Sequence, residues 1–443
     1  MEGGLKNILV LIVYLLISHP LWANCIRVTS TSAISSQAIA AGYTAADWTG
    51  ACNICNGNIG LPAAINISSD SNFQPAGTLL ASAVGNFLTA ATNKTYTRNQ
   101  ILFRCDRADA ESLYEMYATN GANAFTGQYL SNEVDGAYYD VAKNVAVRMT
   151  NLSTGEYYSR YWKQRKITSA DWYQDASYIY IPASAFSNVL YEMYKISSSL
   201  YYFNAGSNYR DAYPKPRGYI AFKGPGLTTN SLMVGQDSAS YYYGLYGNWP
   251  GEWSTYNNVT YLRGALCHVK DYPAVVILPP VSSASLQAGG SSQTSFSVSL
   301  ECESGAVSGT DASTASKANV AMGFLVNQPV AVNAARALGL ATSGGGLTWL
   351  LDSHYGNSGT ASGVGIKILN QSGAAINLLP DKSATGSGNT HGWYGYQSLT
   401  SLTSSGTVNT YTGDFTASLE AISGQTVTPG TVNAQLQVIV SFQ

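Results

Sequence analysis

The last segment of the chain restricts its fold most. Val432, Ala434, Leu436, Val438, Val440 and Phe442 are apolar and alternate mostly with Asn433, Gln435, Gln437 and Ser441, Ile439 being the one exception. Successive side chains of a strand point to opposite faces, so this pattern predicts a terminal strand with one buried face, lying inside a sheet. Pro429-Gly430 punctuates its start. The same alternation recurs upstream, at Phe296, Val298, Leu300 and Cys302, at Val320, Met322, Phe324 and Val326, and at Phe415, Ala417, Leu419 and Ala421. Val364, Ile366 and Ile368 form another run, followed by the turn Asn370-Gln371-Ser372-Gly373 and then Ile376 and Leu378. Short runs separated by Gly/Ser/Asn turns predict an antiparallel sandwich with one face of each strand wetted.

This pattern covers only part of the 443 residues, a length that fits two domains at about 100–200 residues each. Tyrosine divides the chain: of 32, 24 lie between Tyr114 and Tyr261, and only four follow residue 273. Charge divides it similarly, with 16 basic and 16 acidic residues over 24–262 against 6 and 8 from Arg263 onward. A boundary near residue 263 fits both shifts and predicts domains 24–262 and 263–443. Charged residues make up 11% of the chain and its net charge is −2, which gives no electrostatic basis for binding nucleic acid or for a polybasic membrane anchor. The low charge does not indicate disorder, which combines low hydrophobicity with high net charge; 45% of this chain is apolar.

Lys6, the apolar run Ile8 to Ile17 and the small residue ending Leu21-Trp22-Ala23 have the layout of a secretory signal peptide over 1–23, with Asn24 the first mature residue. All six cysteines (Cys25, Cys52, Cys55, Cys105, Cys267 and Cys302) follow that point, and an even count in an exported chain reads as disulfides. Cys52-Asn-Ile-Cys55 has the spacing of a zinc knuckle or a redox pair, but no second CxxC and no nearby histidine completes a metal site. Spacing leaves the pairing of Cys25, Cys52, Cys55 and Cys105 open.

The carboxy-terminal part resembles the pilin domains of chaperone–usher fimbriae. The resemblance is carried by Cys267, the stretch Ile277-Leu278-Pro279-Pro280-Val281, Cys302 closing the Phe296 run, Gly363 to Ile368 with the Gly373 turn, and Thr428-Pro429-Gly430 before a strand with a penultimate aromatic. The family has tyrosine at that position; Phe442 keeps the ring and lacks the hydroxyl. The resemblance implies a Cys267–Cys302 disulfide and an incomplete immunoglobulin-like sandwich, lacking one strand and completed by a donor strand. Its groove would be flanked by Val432, Ala434, Leu436, Val438, Val440 and Phe442, and an open sheet edge of this kind invites strand addition. It implies as partners a periplasmic chaperone, an outer-membrane usher and the next fimbrial subunit. Where ordinary pilins carry a short donor extension, this chain carries about 240 residues, as the two-domain tip adhesins of these fimbriae do. Phe103-Arg104-Cys105-Asp106 and Asn151 to Tyr157 also resemble their receptor-binding domains.

The first domain is thus expected to be β-rich and to bind a receptor, with the protein exported through the periplasm to the fimbrial tip. No histidine occurs between Cys25 and Leu262, so neither a Ser-His-Asp triad nor a His-ligated zinc can form there, and no cofactor is expected. Asp135, Asp140, Glu156, Asp171 and Asp175 leave room for a two-carboxylate glycosidase, but no spacing singles out a pair. Aromatic side chains combine a large apolar face with a polar handle, which suits sugar rings, so a surface glycan or glycoprotein is the expected receptor. The stretch Asp237 to Asn258 concentrates such residues, and within it Asp237, Tyr242, Asn248, Trp249 and Trp253 are the expected ligand contacts. A second cluster spans Tyr209 to Arg217, and a basic run (Arg160, Lys163, Arg165 and Lys166) surrounds Trp162 and would suit an acidic sugar. The alternatives are a structural capping subunit without lectin activity and an exported glycosidase.

Overall fold

The computed structural model describes residues 24–68, 73–206, 208–313, 318–382 and 386–443; the expected signal peptide lies outside the described residues. Strands dominate, as expected for an all-β chain, and the longest helix among the described residues, Pro329–Ala337, has 9 residues. No helix among the described residues is long and apolar enough to cross a membrane.

Two principal hydrophobic cores form. One draws on side chains from Cys25 to Tyr261, the other on side chains from Leu262 to Phe442. Around the first lie three four-stranded sheets and one three-stranded sheet. The strand Gly218–Lys223 is buried along nearly its whole length, because Tyr114–Thr119 and Gly251–Trp253 flank it and layers cover both faces. Strand Thr260–Gly264 runs antiparallel to Asn208–Arg210 and parallel to Ala64–Ser68. Its last residue has no room for a side chain, since a Cβ on Gly264 would lie 2.8 Å from the Ala318 Cβ, with the Phe442 ring next at 3.4 Å.

The second core is a sandwich. One sheet is ordered Cys267–Asp271, Ser292–Glu303, Val408–Ala421, Val364–Leu369, with Ser401–Ser404 added on Val408–Ala421. The other is built on Asn319–Leu325, with Gln437–Phe442 on one edge and the short strands Val307–Ser308 and Tyr394–Gly395 on the other. Phe324 packs against Phe415 across the layers at 5.0 Å between ring centroids. The run predicted from Val320 to Val326 has no wetted face: Asn319–Leu325 is buried on both sides, because Leu379 and Trp393 cover Ala321 and Leu325 from outside the sandwich. Asn370 closes the predicted turn by accepting the amides of Ser372 and Ala374 at 3.1 and 3.0 Å.

All six cysteines are paired. Cys267–Cys302 links residues opposite each other in the ladder, as the resemblance implied, and the pairings left open are Cys25–Cys105 and Cys52–Cys55.

Candidate functional site

The terminal strand is shorter than its sequence pattern. Only Gln437–Phe442 enters a ladder, although residues 432–436 keep the same alternation of half-buried and exposed side chains. The reason lies in its neighbour: Asn319–Leu325 ends at the pair Leu325–Gln437, and beyond it residues 434–436 run along a groove. The opposite edge of Gln437–Phe442 carries no ladder partner among the described residues, so the strand lies at an edge and not inside the sheet.

The groove has a volume of ≈ 1240 Å³. One wall is Val432 to Val438; the other is the strap Tyr272 to Ser283, which makes no strand ladder at residues 272–282. Side chains of both sheets form its floor, among them Phe296, Phe324, Val364, Ile366 and Leu419. Two side-chain hydrogen bonds hold the strap, from Thr294 Oγ1 to the Ile277 carbonyl at 2.7 Å and from Ser292 Oγ to that of Pro279 at 2.6 Å. An apolar trough between an unpaired strand edge and an unladdered strap has the shape and chemistry for one added strand with alternate apolar side chains. Seven residues of wall correspond to about 23 Å of extended chain.

A second feature lies on the surface of the first domain. Tyr241, Tyr242, Tyr243 and Leu245 are exposed on the loop after Asp237, near exposed Tyr161, Met233 and Val234. The loop is held from beneath by two indoles: Trp162 Nε1 donates to the Tyr241 carbonyl at 2.7 Å and Trp249 Nε1 to that of Tyr243 at 3.0 Å. The Arg160 guanidinium clasps Asp237 through two hydrogen bonds, of 2.9 and 2.6 Å, and holds its carboxyl below the usual range. A second exposed aromatic group follows on the same domain: Leu200, Tyr201, Tyr202 and Phe203, with Tyr201 stacked on Tyr129 at 3.8 Å.

Residues 254–443 match a family model described as fimbrial protein. The carboxy-terminal part of this chain is thus similar to a fimbrial protein, and we refer to it as the fimbrial domain. Among solved structures, the chain is similar to the CupB6 tip adhesin of Pseudomonas aeruginosa, at 13% identity over 88% of this chain and 95% of that one, with a TM-score of 0.24. It is similar to the CsuC–CsuE chaperone–tip adhesion subunit complex of Acinetobacter baumannii, at 12% identity over 88% of this chain and 100% of that one, with a TM-score of 0.21. It is also similar to the P pilus rod subunit PapA, at 15% identity over 40% of this chain and 99% of that one, with a TM-score of 0.24. TM-scores of this size establish no common overall arrangement. No curated protein matches significantly.

Of the six residues expected beside the groove of the fimbrial domain, Val432, Ala434, Leu436 and Val438 line it. Val440 and Phe442 continue the same face beyond the lining, and Phe442 is fully buried. Of the five expected ligand contacts, Tyr242 is the most open, at 54% exposure, while Asp237 and Asn248 are half-buried. Trp249 and Trp253 are corrections: at 1% and 0% exposure they present no face to a ligand. Trp249 crosses Trp162 edge to face and supports the loop, and Trp253 donates through Nε1 to the Tyr158 hydroxyl inside the core. Tyr161, Met233 and Val234 are exposed apolar residues that the sequence reading did not single out. The unbroken run Leu200 to Phe203 carried a signal, being apolar without period-two alternation.

Every cation of the predicted basic run is engaged within the chain: Arg160 by Asp237, Lys163 by Glu156, Arg165 by Glu115 and Asp171, and Lys166 by Glu111. Most of the carboxylates weighed for catalysis are likewise occupied. Asp140 bonds Arg217 and Tyr261, Asp171 bonds Arg165 and the Thr168 amide, and Glu156 accepts from Tyr117. Burial acts to raise Asp175, but hydrogen bonds from Ser35, Tyr180 and the amides of Tyr178 and Ser177 hold it down, to about 2. The cluster Tyr209 to Arg217 is divided: Arg210, Ala212 and Pro214 are exposed, whereas Arg217 is buried and clamped between Asp140 at 2.8 Å and Asp211 at 2.6 Å. Nearby Glu252 is fully buried, with neither carboxylate oxygen hydrogen-bonded, and burial raises its pKa well above the usual range, Arg217 opposing weakly.

Proposed function

We propose that the chain is a two-domain fimbrial tip adhesin, exported through the periplasm to the cell surface, with a receptor-binding domain over 24–262 and a pilin domain over 263–443. The observation that carries this reading is the ≈ 1240 Å³ groove with an apolar floor beside an unpaired strand edge, within the part that matches the fimbrial family. A groove of this kind needs a strand from another chain. The strand that crosses the boundary between the two parts, Thr260–Gly264, is itself held in a ladder between Ala64–Ser68 and Asn208–Arg210 and is not free to act as a donor. A subunit that accepts a strand and has no free one beside its pilin domain occupies the end of a fibre.

A periplasmic chaperone would fill the groove first, and the amino-terminal extension of the next subunit would replace it at the usher. The exposed tyrosine loop supports binding over a purely capping role, and a neutral surface glycan is the receptor its chemistry suits, since the adjacent cations are internally paired. With most candidate carboxylates committed to structural bonds, the work assigned to this chain is binding without bond cleavage.

The test has two arms on the chain from Asn24. Co-expression with a fimbrial chaperone should give a one-to-one complex that is lost on deleting Val432–Gln443. A glycan array should then show binding by the captured chain; a stable, soluble chain that captures no strand and binds no glycan overturns the proposal.

A further inference from the structure

The Cys52–Cys55 bridge spans a sequence separation of 3, against 80 for Cys25–Cys105. Disulfides that close very short loops remove little freedom from the unfolded chain, so this bridge contributes little to global stability by that route. Its local connections are specific. The turn around it is bonded to the aromatic loop by Ala51 N to the Trp249 carbonyl at 2.9 Å, and a Cβ on Gly50 would lie 2.3 Å from that same oxygen. Its other side is fixed by Asn56 N to Asn93 Oδ1 at 2.7 Å and by Asn258 Nδ2 to the Asn56 carbonyl at 2.8 Å. Inside the two-residue bridge sits Asn53, whose Oδ1 accepts from Tyr246 Oη at 2.6 Å and from Lys215 Nζ at 3.2 Å.

Tyr246 is the foot of the exposed loop: it packs, partly buried, against the cluster that holds Trp249 and Tyr219, and Tyr241 to Leu245 stand just before it in sequence. Asn53 is exposed, and a hydrogen bond open to water adds little net stability unless both partners are already in place. The disulfide supplies that placement on the Asn53 side.

We propose that the Cys52–Cys55 turn is a positioning clamp for the loop Tyr241–Leu245, acting through the Asn53–Tyr246 hydrogen bond. Asn53 is then a positioning residue for receptor recognition, an assignment that rests on the adhesin reading above; the clamp itself does not.

The experiment compares the full chain with N53A, N53D and the pair Cys52→Ser with Cys55→Ser, following amide exchange over 241–249 and thermal unfolding. Exchange in that loop should rise about three- to tenfold in N53A and in the cysteine pair, the change expected from losing one net hydrogen bond. N53D keeps an acceptor oxygen and should stay near the parent. The unfolding midpoint should move by no more than about 4 °C. Unchanged loop exchange in N53A overturns the clamp, as does a loss of protection in the cysteine pair spread over the whole domain. Faster loop exchange with unaltered glycan binding leaves the clamp standing and removes the loop from the receptor face.

Discussion

The first domain closes around buried charge, whereas the fimbrial domain stays open around buried hydrocarbon. In the first, Arg217 is 1% exposed and reaches Asp140 and Asp211, themselves tied to Tyr261 and Thr255. Such a network fixes one arrangement of the strands that supply it, because removing a charged member leaves an uncompensated charge in a dry interior. In the second, the groove floor is apolar and the wall strand has a free edge, so the fold tolerates an exchangeable partner. The difference teaches that a buried ionic network ties the first domain to one arrangement, while the fimbrial domain leaves a strand edge and a groove uncovered.

The contrast is broken most forcefully at Arg217. Arg217→Met leaves Asp140 and Asp211 buried without their cation, and removing one partner of a buried pair costs about 3–5 kcal/mol. In calorimetry of the full chain, the first domain should lose that stability while the transition of the fimbrial domain stays in place. A shift of both transitions together would show one cooperative unit and remove the comparison.

Glu252 gives a somewhat smaller effect and a pH signature. Burial holds its folded-state pKa well above 4.5, so folding takes up a proton at pH values between 4.5 and the folded value. The cost is absent below 4.5 and grows as pH rises toward the folded value. Glu252→Gln should therefore stabilise the first domain near pH 7, leave it unchanged at pH 4, and flatten the fall between them. Equal stabilisation at both values would mean that the carboxyl is not the titrating group.

The fimbrial domain should respond to a ligand that leaves the first domain untouched. A peptide of alternating apolar residues, long enough to span Val432 to Val438, should raise the transition of the fimbrial domain by about 2.7 kcal/mol at a hundredfold excess over its Kd. Leu436→Asp places a charge in the groove wall and should abolish that gain. An undiminished response in Leu436→Asp would place the peptide elsewhere.

Legibility in the sequence follows the same division. The long strands of the fimbrial domain are readable because they bury at least one face, which leaves a period-two mark at Phe296 to Cys302 and at Phe415 to Ala421. Asn319–Leu325 carried the same mark and still has both faces covered, since Leu379 and Trp393 come from a distant stretch whose position no local pattern encodes. Residues 432–436 looked like strand because alternation records facing, while a ladder also needs a neighbour, and there the neighbour ends. In the first domain, composition located the aromatic loop but not which rings face water. Trp249 and Trp253 read as contacts because a tryptophan that supports a loop and one that meets a ligand leave the same letter in the sequence. Only the direction of their Nε1 bonds separates the two roles.

The smallest expected effect on stability decides what the rigid domain displays. Tyr242 is 54% exposed, and its shortening to alanine uncovers no core, so Tyr242→Ala should change stability by no more than about 0.5 kcal/mol. Aromatic contacts at a binding face often carry more than 1 kcal/mol, so the same variant should lose glycan binding about tenfold or more. Trp249→Phe makes the opposite pattern: it removes the Nε1 bond to the Tyr243 carbonyl from a buried site, so stability falls and binding falls only as far as the loop shifts. If Tyr242→Ala binds as the parent does while Trp249→Phe does not, recognition lies elsewhere on the domain, and the cluster Leu200 to Phe203 with Tyr129 is the next surface to truncate.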